Sequence, residues 1–507
     1  MGRAEAATSS VAGYGVGWRH VQVGIMFVAA CFAITMRVCL SVAVVDMTGP
    51  DTGDGQQRFN WDPTEKSAVL GSFLWGYMCT QVVGGALSAR GRASLMLAGA
   101  LGFSGLLTAA LPFVATSGGA LAVAASRVGC GIIQGVLYPS SYTLLGRWVP
   151  PDERSRGGSL LLASQPLGNI LAMGMSGWLA TSWGWPSIFY VFGLSGVVIA
   201  ALILLVSADS PHTHPRISQA ERDFILKAIS AGSTQRPRLA VPWGAMLTSR
   251  AVLVALVAHV GYLWGYWVVV ACTPSFFNNL LDVGLEWNGL LSAAPHVSTL
   301  VCSFLFGWLG DVFEARRLMS RTVNRKLFNT IGQCGPGLLC VVIAALGTAN
   351  PYISVALLVV AGGLMSGCYN GGLITFVDIA PNFSGICFGM GNTIGSFISA
   401  FAPYAEGAFV DRNDPMPGWS KVFYLTAAVY LLLNLAFCIW GTAELQTWND
   451  PSANTSRPSA LKSYGGLETK DRPLTDLRCT TDNGEDLLKS RTLKAVFGSM
   501  AVHKCYV

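Results

Sequence analysis

Two arginines interrupt long apolar stretches of this sequence. Arg37 lies within 21–45 and Arg127 within 118–143. A guanidinium keeps its charge at physiological pH and can bind a carboxylate or phosphate through two parallel hydrogen bonds. The apolar stretches offer no interior carboxylate, since Asp46, Asp378 and Glu406 all fall near their ends. For Arg37 we favour an anion as the counter-charge. For Arg127 that interpretation is no more favoured than the alternative, in which the side chain extends to the membrane interface or bonds to backbone carbonyls.

Uncharged polar side chains in the same stretches could complete such a site. Hydroxyl donors are Tyr77, Tyr138 and Tyr262, with packing tyrosines as the alternative. The amides could orient a ligand or coupling ion without carrying a proton: Gln134, Asn370 and Asn392. His259 and His296 could carry protons, although a histidine on a helix face is more often only hydrogen-bonded.

The elements that hold these residues are membrane spans. The chain has 507 residues, of which 52% are hydrophobic and 12% charged, and its mean hydropathy is +0.49. Soluble proteins carry roughly 25% charged residues, so a soluble enzyme, a secreted domain and a nucleic-acid binder are excluded. Apolar blocks of about 20 residues can each cross the membrane as a helix. Twelve are expected, near 21–45, 67–88, 93–115, 118–143, 158–180, 186–207, 251–273, 287–310, 326–348, 352–378, 384–410 and 420–441.

The basic residues orient this all-α membrane protein. Lys and Arg gather in the N-terminal segment and in the even-to-odd connections, whereas the opposite side carries only Arg58, Lys66, Arg412 and Lys421. Because cytoplasmic loops are enriched in Lys and Arg, both termini are predicted to be cytoplasmic. The membrane is the plasma membrane or that of an organelle.

The polar breaks define five regions. We expect a cytoplasmic segment at 1–20, a six-helix bundle at 21–207, a cytoplasmic linker at 208–250, a second six-helix bundle at 251–441 and a cytoplasmic, disordered tail at 442–507. The linker contains a capping-box pattern, Ser218 to Glu221, before a periodic apolar run, which predicts a short amphipathic helix.

The two bundles carry matching motifs in the same order. Span 4 contains Gly131-Ile-Ile-Gln134-Gly135, and span 10 contains Gly367-Cys-Tyr-Asn370-Gly371. Glycine-bearing turns with charged residues follow spans 2 and 8, and they contain Arg90, Arg92 and Asp311. This order indicates two six-helix pseudo-repeats, with the three charged residues at a cytoplasmic gate.

Several strings resemble one known family. They are Arg37-Val-Cys-Leu-Ser-Val-Ala-Val-Val45, Gly71-Ser-Phe-Leu-Trp75-Gly-Tyr77, Gln134-Gly-Val-Leu-Tyr-Pro139, Pro150-Pro-Asp-Glu153-Arg154-Ser, Gly184-Trp-Pro-Ser-Ile-Phe-Tyr190 and Asp378-Ile-Ala-Pro381. They are similar to the anion:cation symporters of the major facilitator superfamily, which include type I sodium/phosphate cotransporters, sialin and vesicular glutamate transporters. The resemblance covers about residues 20–450 and implies the major facilitator fold.

The resemblance also assigns roles to single positions. It implies that Arg37 and Arg127, with Tyr77 and Tyr138, bind the substrate. The acidic residue of several members falls on Gln134, which makes proton coupling through this position doubtful. The histidine and arginine of the glutamate branch fall on Leu70 and Tyr262, which argues against vesicular glutamate transport. The acidic residue of the gate turn falls on Ala89.

The predicted function is alternating-access transport of a small anion, inorganic phosphate or an organic carboxylate. Coupling to co-transported sodium or protons, or to the membrane potential, is expected, and no other cofactor. Export of an organic anion or organellar transport is the alternative, and a non-transporting receptor on this fold is a further one. No nucleophile–base set or metal-ligand spacing indicates an enzyme. The expected partners are the anion and the lipid bilayer, with no nucleic acid and no obligate protein partner.

Overall fold

The computed structural model describes residues 15, 17–50, 56–232, 241–281, 284–346, 351–411 and 414–449. Within these ranges the chain is helical and contains no strand. Nine helical stretches in them are long and apolar enough to cross a membrane. The expected segment 1–20 and the tail 442–507 lie largely outside the described residues.

The N-terminal half consists of seven helices that form six rods. They are α1 (Trp18–Met47), α2 (Pro63–Arg90), α3 (Ala93–Ala109), α4 (Leu111–Gln134), α5 (Leu137–Trp148), α6 (Pro151–Trp183) and α7 (Trp185–Val206). Helices α4 and α5 share one rod, Leu111–Trp148. The short helices α8 (Gln219–Gly232) and α9 (Trp243–Thr248) then lead to the second half. The expected linker helix corresponds to α8.

The C-terminal half repeats the arrangement of six rods. They contain α10 (Arg250–Leu281), α11 (Leu285–Ala315), α12 (Arg321–Leu346), α13 (Pro351–Met365), the π-helical turn η1 (Tyr369–Leu373), α14 (Ile374–Ile379), α15 (Ser384–Ser399), α16 (Ala402–Phe409) and α17 (Pro415–Trp440). Helices α13, η1 and α14 form one rod and α15 and α16 another. A short 3-10 turn, Thr447–Asn449, follows.

Local sequence signals fix where helices begin and turn. Asp62 caps α2: its side chain accepts a hydrogen bond from the Glu65 amide at 2.7 Å, while the Glu65 carboxylate accepts from the Asp62 amide at 3.0 Å. This reciprocal capping box satisfies two amides that the first helical turn leaves free. Between α6 and α7, Gly184 adopts φ +79°, a conformation that glycine takes without steric cost.

The two matching glycine motifs of the sequence coincide with two helix breaks. Helix α4 ends at Gln134, and η1 begins at Tyr369, with non-helical backbone at Gly371. A Cβ at Gly135 would overlap the Thr80 hydroxyl, and one at Gly371 would lie 2.5 Å from the Asn329 amide nitrogen. At both breaks the backbone therefore packs directly against a neighbouring helix.

The halves meet most closely at one end of the bundle. We call it the far end, because α1 ends there at Met47 and α2 begins there at Pro63, whereas α8 lies at the opposite, linker end. Near the far end, α2 packs on α15 and α16, and α6 packs on α11. A Cβ at Gly71 would lie 2.6 Å from the Ala400 carbonyl oxygen, and one at Gly289 2.6 Å from that of Met173. The far end is therefore closed by backbone-to-backbone packing across the halves.

Candidate functional site

Arg37 projects from α1 into a pocket of aromatic and amide groups. Its side chain is 7% exposed, and its Nη2 donates a hydrogen bond to Gln134 Oε1 at 3.3 Å. The guanidinium carbon lies 4.6 Å from the ring centre of Phe73 and 4.4 Å from that of Tyr77. Among the described residues no carboxylate pairs with Arg37, and its Nε has no hydrogen-bond partner. The charge is thus held by ring faces and one amide, with N–H donors left to bind a ligand.

Arg127 supports the backbone that carries Arg37. Its guanidinium is buried, and it donates from Nη1 to the Met36 carbonyl at 2.9 Å and from Nη2 to the Arg37 carbonyl. It also lies 5.2 Å from the ring centre of Phe73. These bonds correspond to the structural alternative that the sequence left open for Arg127. They fix the turn of α1 from which Arg37 projects.

Two of the predicted tyrosines lie beside Arg37. The Tyr77 ring stacks on Phe73 with centroids 5.4 Å apart. Tyr138, on the first turn of α5, contacts Ser164 and lies within electrostatic range of Arg37 and Tyr77. The structure therefore brings Tyr77, Tyr138 and Gln134 together around Arg37. The helix break after Gln134 lets one rod contribute residues from both sides of the break.

The remaining predicted polar residues lie on the C-terminal half. Tyr262 is buried, and its ring packs 6.1 Å from Tyr266 and 5.9 Å from Tyr369. Asn392 Oδ1 lies 3.0 Å from His259 Nε2, and its amide nitrogen donates across the halves to Gln81 at 3.4 Å.

Asn370 is placed elsewhere, near the linker end. Its carbonyl lies 3.5 Å from Arg325 Nη1, beside a cluster of four charges. In that cluster Arg325 contacts Asp378 at 2.7 Å and Glu314 at 3.4 Å, and Arg321 contacts Glu314 at 2.6 Å. The described contacts therefore associate Asn370 with these charges rather than with Arg37.

The residues predicted for the cytoplasmic gate make no described ion pair. Arg92 and Asp311 are exposed, and neither has a charged partner among the described residues. The side chain of Arg90 lies outside the described part of the chain. At the linker end of the C-terminal half, the described ion pairs instead join Glu314 and Asp378 to Arg321 and Arg325. The sequence did not indicate Glu314 or Asp378 as gate residues.

A buried polar cluster that the sequence did not reveal bridges the halves. The Asn169 amide nitrogen, on α6, lies 3.2 Å from the Tyr266 hydroxyl on α10 and 3.2 Å from His296 Nδ1 on α11. The Tyr266 hydroxyl in turn donates to Asn169 Oδ1 at 3.3 Å. We call Asn169, Tyr266 and His296 the Asn169 cluster. His296 was a candidate from its type, but nothing in the sequence indicated its partners.

An ion pair joins the halves at the far end. Lys66 Nζ on α2 lies 3.0 Å from Glu406 Oε1 on α16, and it donates to the Ser275 hydroxyl on α10 at 2.9 Å. The Glu406 side chain is 8% exposed and that of Lys66 23%. We call Lys66 and Glu406 the far-end latch.

The described residues contain no group of three or more His, Cys, Asp or Glu side chains that could hold a metal ion.

Comparison with known proteins decides the family. A sequence profile described as "Major Facilitator Superfamily" matches residues 26–403. The chain belongs to the major facilitator superfamily. A Drosophila ananassae protein named "Putative inorganic phosphate cotransporter" is 30% identical over 86% of this chain and 95% of its own length. Sialin of Ovis aries is 29% identical over 82% and 87% of the two chains, and human vesicular glutamate transporter 2 is 29% identical over 86% and 76%.

Solved structures agree on the fold of this major facilitator protein. A D-xylose-proton symporter superposes with TM-score 0.62 at 15% identity, covering 83% of this chain and 97% of the other. An inward-facing, unoccupied bacterial homologue of the lysosomal transporter Spinster gives TM-score 0.63 at 12% identity, covering 84% and 97%. The predicted all-α major facilitator fold and the resemblance to the anion:cation symporters are confirmed. The chain is a multi-pass integral membrane protein.

Proposed function

We propose that this protein is a secondary active transporter that moves a small anion by alternating access. The single observation that carries the proposal is Arg37, a buried guanidinium without an acidic partner among the described residues. A buried charge needs a counter-charge or a set of hydrogen-bond acceptors. Arg127 has two backbone carbonyls, whereas the described acceptor of Arg37 is one amide oxygen at 3.3 Å, and a bound anion would supply the missing partner. The curated relatives named for phosphate cotransport, sialin and vesicular glutamate transport support an anionic substrate.

The surroundings of Arg37 suit reversible binding. At about 4 Å and an effective dielectric near 20, one anion–guanidinium attraction is worth about 4 kcal/mol. The ring faces of Phe73 and Tyr77 favour the cation before the anion arrives. Tyr138 adds a hydroxyl, and Gln134 offers an amide that accepts from Arg37. In this proposal Arg127 is a positioning residue, because its donors contact the carbonyls of Met36 and Arg37.

The closed far end supports an assignment of conformation. We place the linker end and both termini on the cytoplasmic side, from the distribution of Lys and Arg, so that the far end faces outward or into an organelle. The far-end latch and the packing at Gly71 and Gly289 then belong to an inward-facing state. Rocking of the two halves would separate these contacts and expose Arg37 to the other side.

The substrate is inorganic phosphate or an organic carboxylate, and its movement is coupled to a co-transported cation or to the membrane potential. Moving one negative charge into a cell at about −60 mV costs roughly 1.4 kcal/mol, from ~2.3 kcal/mol per 100 mV. Uptake at the plasma membrane therefore requires sodium or a proton, whereas export, or filling an organelle with a positive interior, does not. An exporter or organellar transporter of organic anions is the second candidate, which the relationship to sialin favours.

The test is uptake into proteoliposomes of labelled phosphate, sialate, glutamate and urate, each under separate sodium, pH and voltage gradients. We expect saturable uptake of one anion, reduced at least tenfold by Arg37→Ala. Lys421→Ala is the matched control, since it removes an exposed cation at the far end, and it should transport normally. Uptake that survives Arg37→Ala would overturn this account of the site. Binding without uptake of any anion would favour a receptor.

A further inference from the structure

The Asn169 cluster is a hydrogen-bonded junction between the two halves. Asn169 belongs to α6, while Tyr266 and His296 belong to α10 and α11. All three side chains are at most 4% exposed. Because the halves of a major facilitator protein move against each other, this junction changes its surroundings in every transport cycle.

The protonation state of His296 is set by its neighbour. An amide NH2 group only donates, so His296 Nδ1, 3.2 Å from Asn169 Nδ2, is the acceptor and carries no proton. The single imidazole proton of the neutral ring is then on Nε2, which is buried and has no hydrogen-bond partner among the described residues. A second proton can be added only at Nδ1, where it meets the amide N–H groups of Asn169.

Adding that proton changes the junction. Nδ1 becomes a donor facing a donor, and the contact persists only if the Asn169 amide rotates and presents Oδ1. The rotation exchanges the positions of Nδ2 and Oδ1, which lie 3.2 Å and 3.3 Å from the Tyr266 hydroxyl, so this hydroxyl keeps a partner while Oδ1 turns toward His296. One proton on His296 therefore selects between two hydrogen-bonded arrangements of a contact that joins the halves.

Apart from Arg37 on α1, which interacts electrostatically with Tyr266, the charged residues of the surrounding helices lie far from this position. The elements packed on α11 are α6, α10, α12, α13 and η1. The charged residues of these helices and of α11 itself lie near helix ends. At 1.5 Å per residue, they are at least about 15 Å along the helix axes from the level of His296. They include Glu153, Arg250, Glu286, Asp311 and Arg325. The titratable groups nearer the cluster are tyrosines, cysteines and one histidine: Tyr262, Tyr266, Tyr369, Cys302, Cys368 and His259. Histidine is the side chain that changes charge near neutral pH without perturbation, which leaves His296 and His259.

The cluster also reaches the anion site. Tyr266 lies within electrostatic range of Arg37 and Tyr77, and it is hydrogen-bonded to Asn169. An anion bound at Arg37 therefore places negative charge next to the cluster and favours a proton on His296. By thermodynamic linkage a proton on His296 favours the anion equally.

We propose that His296 is the proton-binding site that couples anion movement to a proton gradient, with Asn169 as its positioning residue. The proposal rests on the proposed anion transport. Gln134 cannot bind a proton at the position where several family members have an acidic residue. The proposal places the coupling proton on His296 in the opposite half instead. The proton adds reversibly to Nδ1 from water on one side and leaves to water on the other, and no covalent bond is made.

The test compares two kinds of transport in proteoliposomes containing the full chain, with labelled phosphate and sialate as probes. In counterflow, labelled anion outside exchanges for unlabelled anion inside at equal pH, and this exchange needs no proton coupling. Net uptake of the anion with acid outside measures how far a pH gradient stimulates transport. We expect His296→Gln to keep counterflow within about threefold and to lose the pH stimulation. Glutamine can still accept a hydrogen bond from Asn169 but does not titrate. His259→Gln is the matched control and should keep the stimulation: His259 bonds Asn392 on its own half, and the link across the halves is made by the Asn392 amide nitrogen to Gln81, which this variant leaves in place.

A second variant tests the same assignment in the opposite direction. Asn169→Asp places a carboxylate beside His296 and favours the charged imidazole, so half-maximal stimulation should move to a higher pH. Unchanged pH stimulation in His296→Gln would overturn the proposal, as would wild-type uptake that is stimulated by a sodium gradient and not by a pH gradient. Absence of wild-type counterflow with every anion would instead refute the proposed transport itself.

Discussion

The far-end latch predicts how removal of one charge shifts the conformational equilibrium. Lys66 and Glu406 lie 3.0 Å apart on opposite halves, and the Glu406 carboxylate is nearly buried. When the far end opens, both charges separate into water. Replacement of Lys66 by methionine leaves Glu406 buried without its cation in the closed state only. The variant should therefore favour the open far end.

The distance sets the size of the effect. A separation of 3.0 Å at an effective dielectric of 20 gives an attraction of about 5.5 kcal/mol. The partial exposure of Lys66 and the cost of dehydrating both ions offset much of it. Loss of one partner of a buried pair costs about 3–5 kcal/mol. Because Lys66 is partly exposed, we expect its removal to cost less than this. The expected shift of the opening equilibrium is about 2 kcal/mol, which is roughly 30-fold.

A native cysteine reports this opening. Cys272 on α10 is 1% exposed and lies beside Glu406. We expect Lys66→Met to raise the labelling rate of Cys272 by a membrane-impermeant maleimide at least tenfold, measured by site-resolved mass spectrometry in detergent. Cys387, which is buried in the first turn of α15, should stay protected, because the variant opens the far end without unfolding the C-terminal half.

Two further variants separate the latch from a general loss of charge. Lys421→Met removes an exposed far-end cation and should leave Cys272 protected. The exchange of Lys66→Glu with Glu406→Lys restores the pair and should return labelling toward the wild-type rate. Equal labelling of Cys272 in wild type and Lys66→Met would refute the reasoning, and the ion pair would then have no role in closure.

Three other perturbations have outcomes that the structure fixes. Arg37→Lys keeps the charge but loses the two-pronged guanidinium, so anion affinity in a binding assay should fall about tenfold or more; an unchanged affinity would show that charge alone suffices. A Cβ at Gly131 would overlap a carbonyl of α2, so Gly131→Ala should lower the melting temperature by the equivalent of about 1–3 kcal/mol, whereas Gly385→Ala, with open space around it, should not. Burial lowers the pKa of His214. Its folded pKa lies below that in the unfolded chain, so its stabilising contribution is complete above about pH 6.5 and is lost as pH falls through the folded value. His214→Gln should remove that part of the acid dependence of thermal stability, and the exposed neighbour His212→Gln should retain it.

The fold could be predicted because the membrane imposes it. Apolar blocks of spanning length must be helical in lipid, since unpaired backbone groups have no water there. The paired glycine motifs went further: Gln134 and Asn370 were matched by sequence, and both fall at helix breaks. The pattern could not show that the first break places Gln134 and Tyr138 beside Arg37, whereas the second lies beside Arg325. This difference depends on which helix packs opposite each break.

The site was predictable only where one residue carried the signal. Arg37 stood out because a charge is costly in an apolar helix. The function of Arg127 could not be derived in the same way, since the sequence does not show which carbonyls its donors meet. Pairs between distant residues left no local pattern: Lys66 and Glu406 are 340 positions apart, and Asn169 and His296 are 127 apart.

The balance of contacts explains why the halves can rock rather than bend. Within the N-terminal half, α2 and α4 approach so closely at Gly131 that even a methyl group would overlap backbone. Close packing of this kind resists gradual deformation. Across the halves, the described polar links are a hydrogen bond between Gln81 and Asn392, the Asn169 cluster, the far-end latch and the hydrogen bond from Lys66 to Ser275. A hydrogen bond contributes about 1 kcal/mol net. In the proposed cycle, the bound anion and a proton on His296 would supply free energies of the size needed to exchange these links.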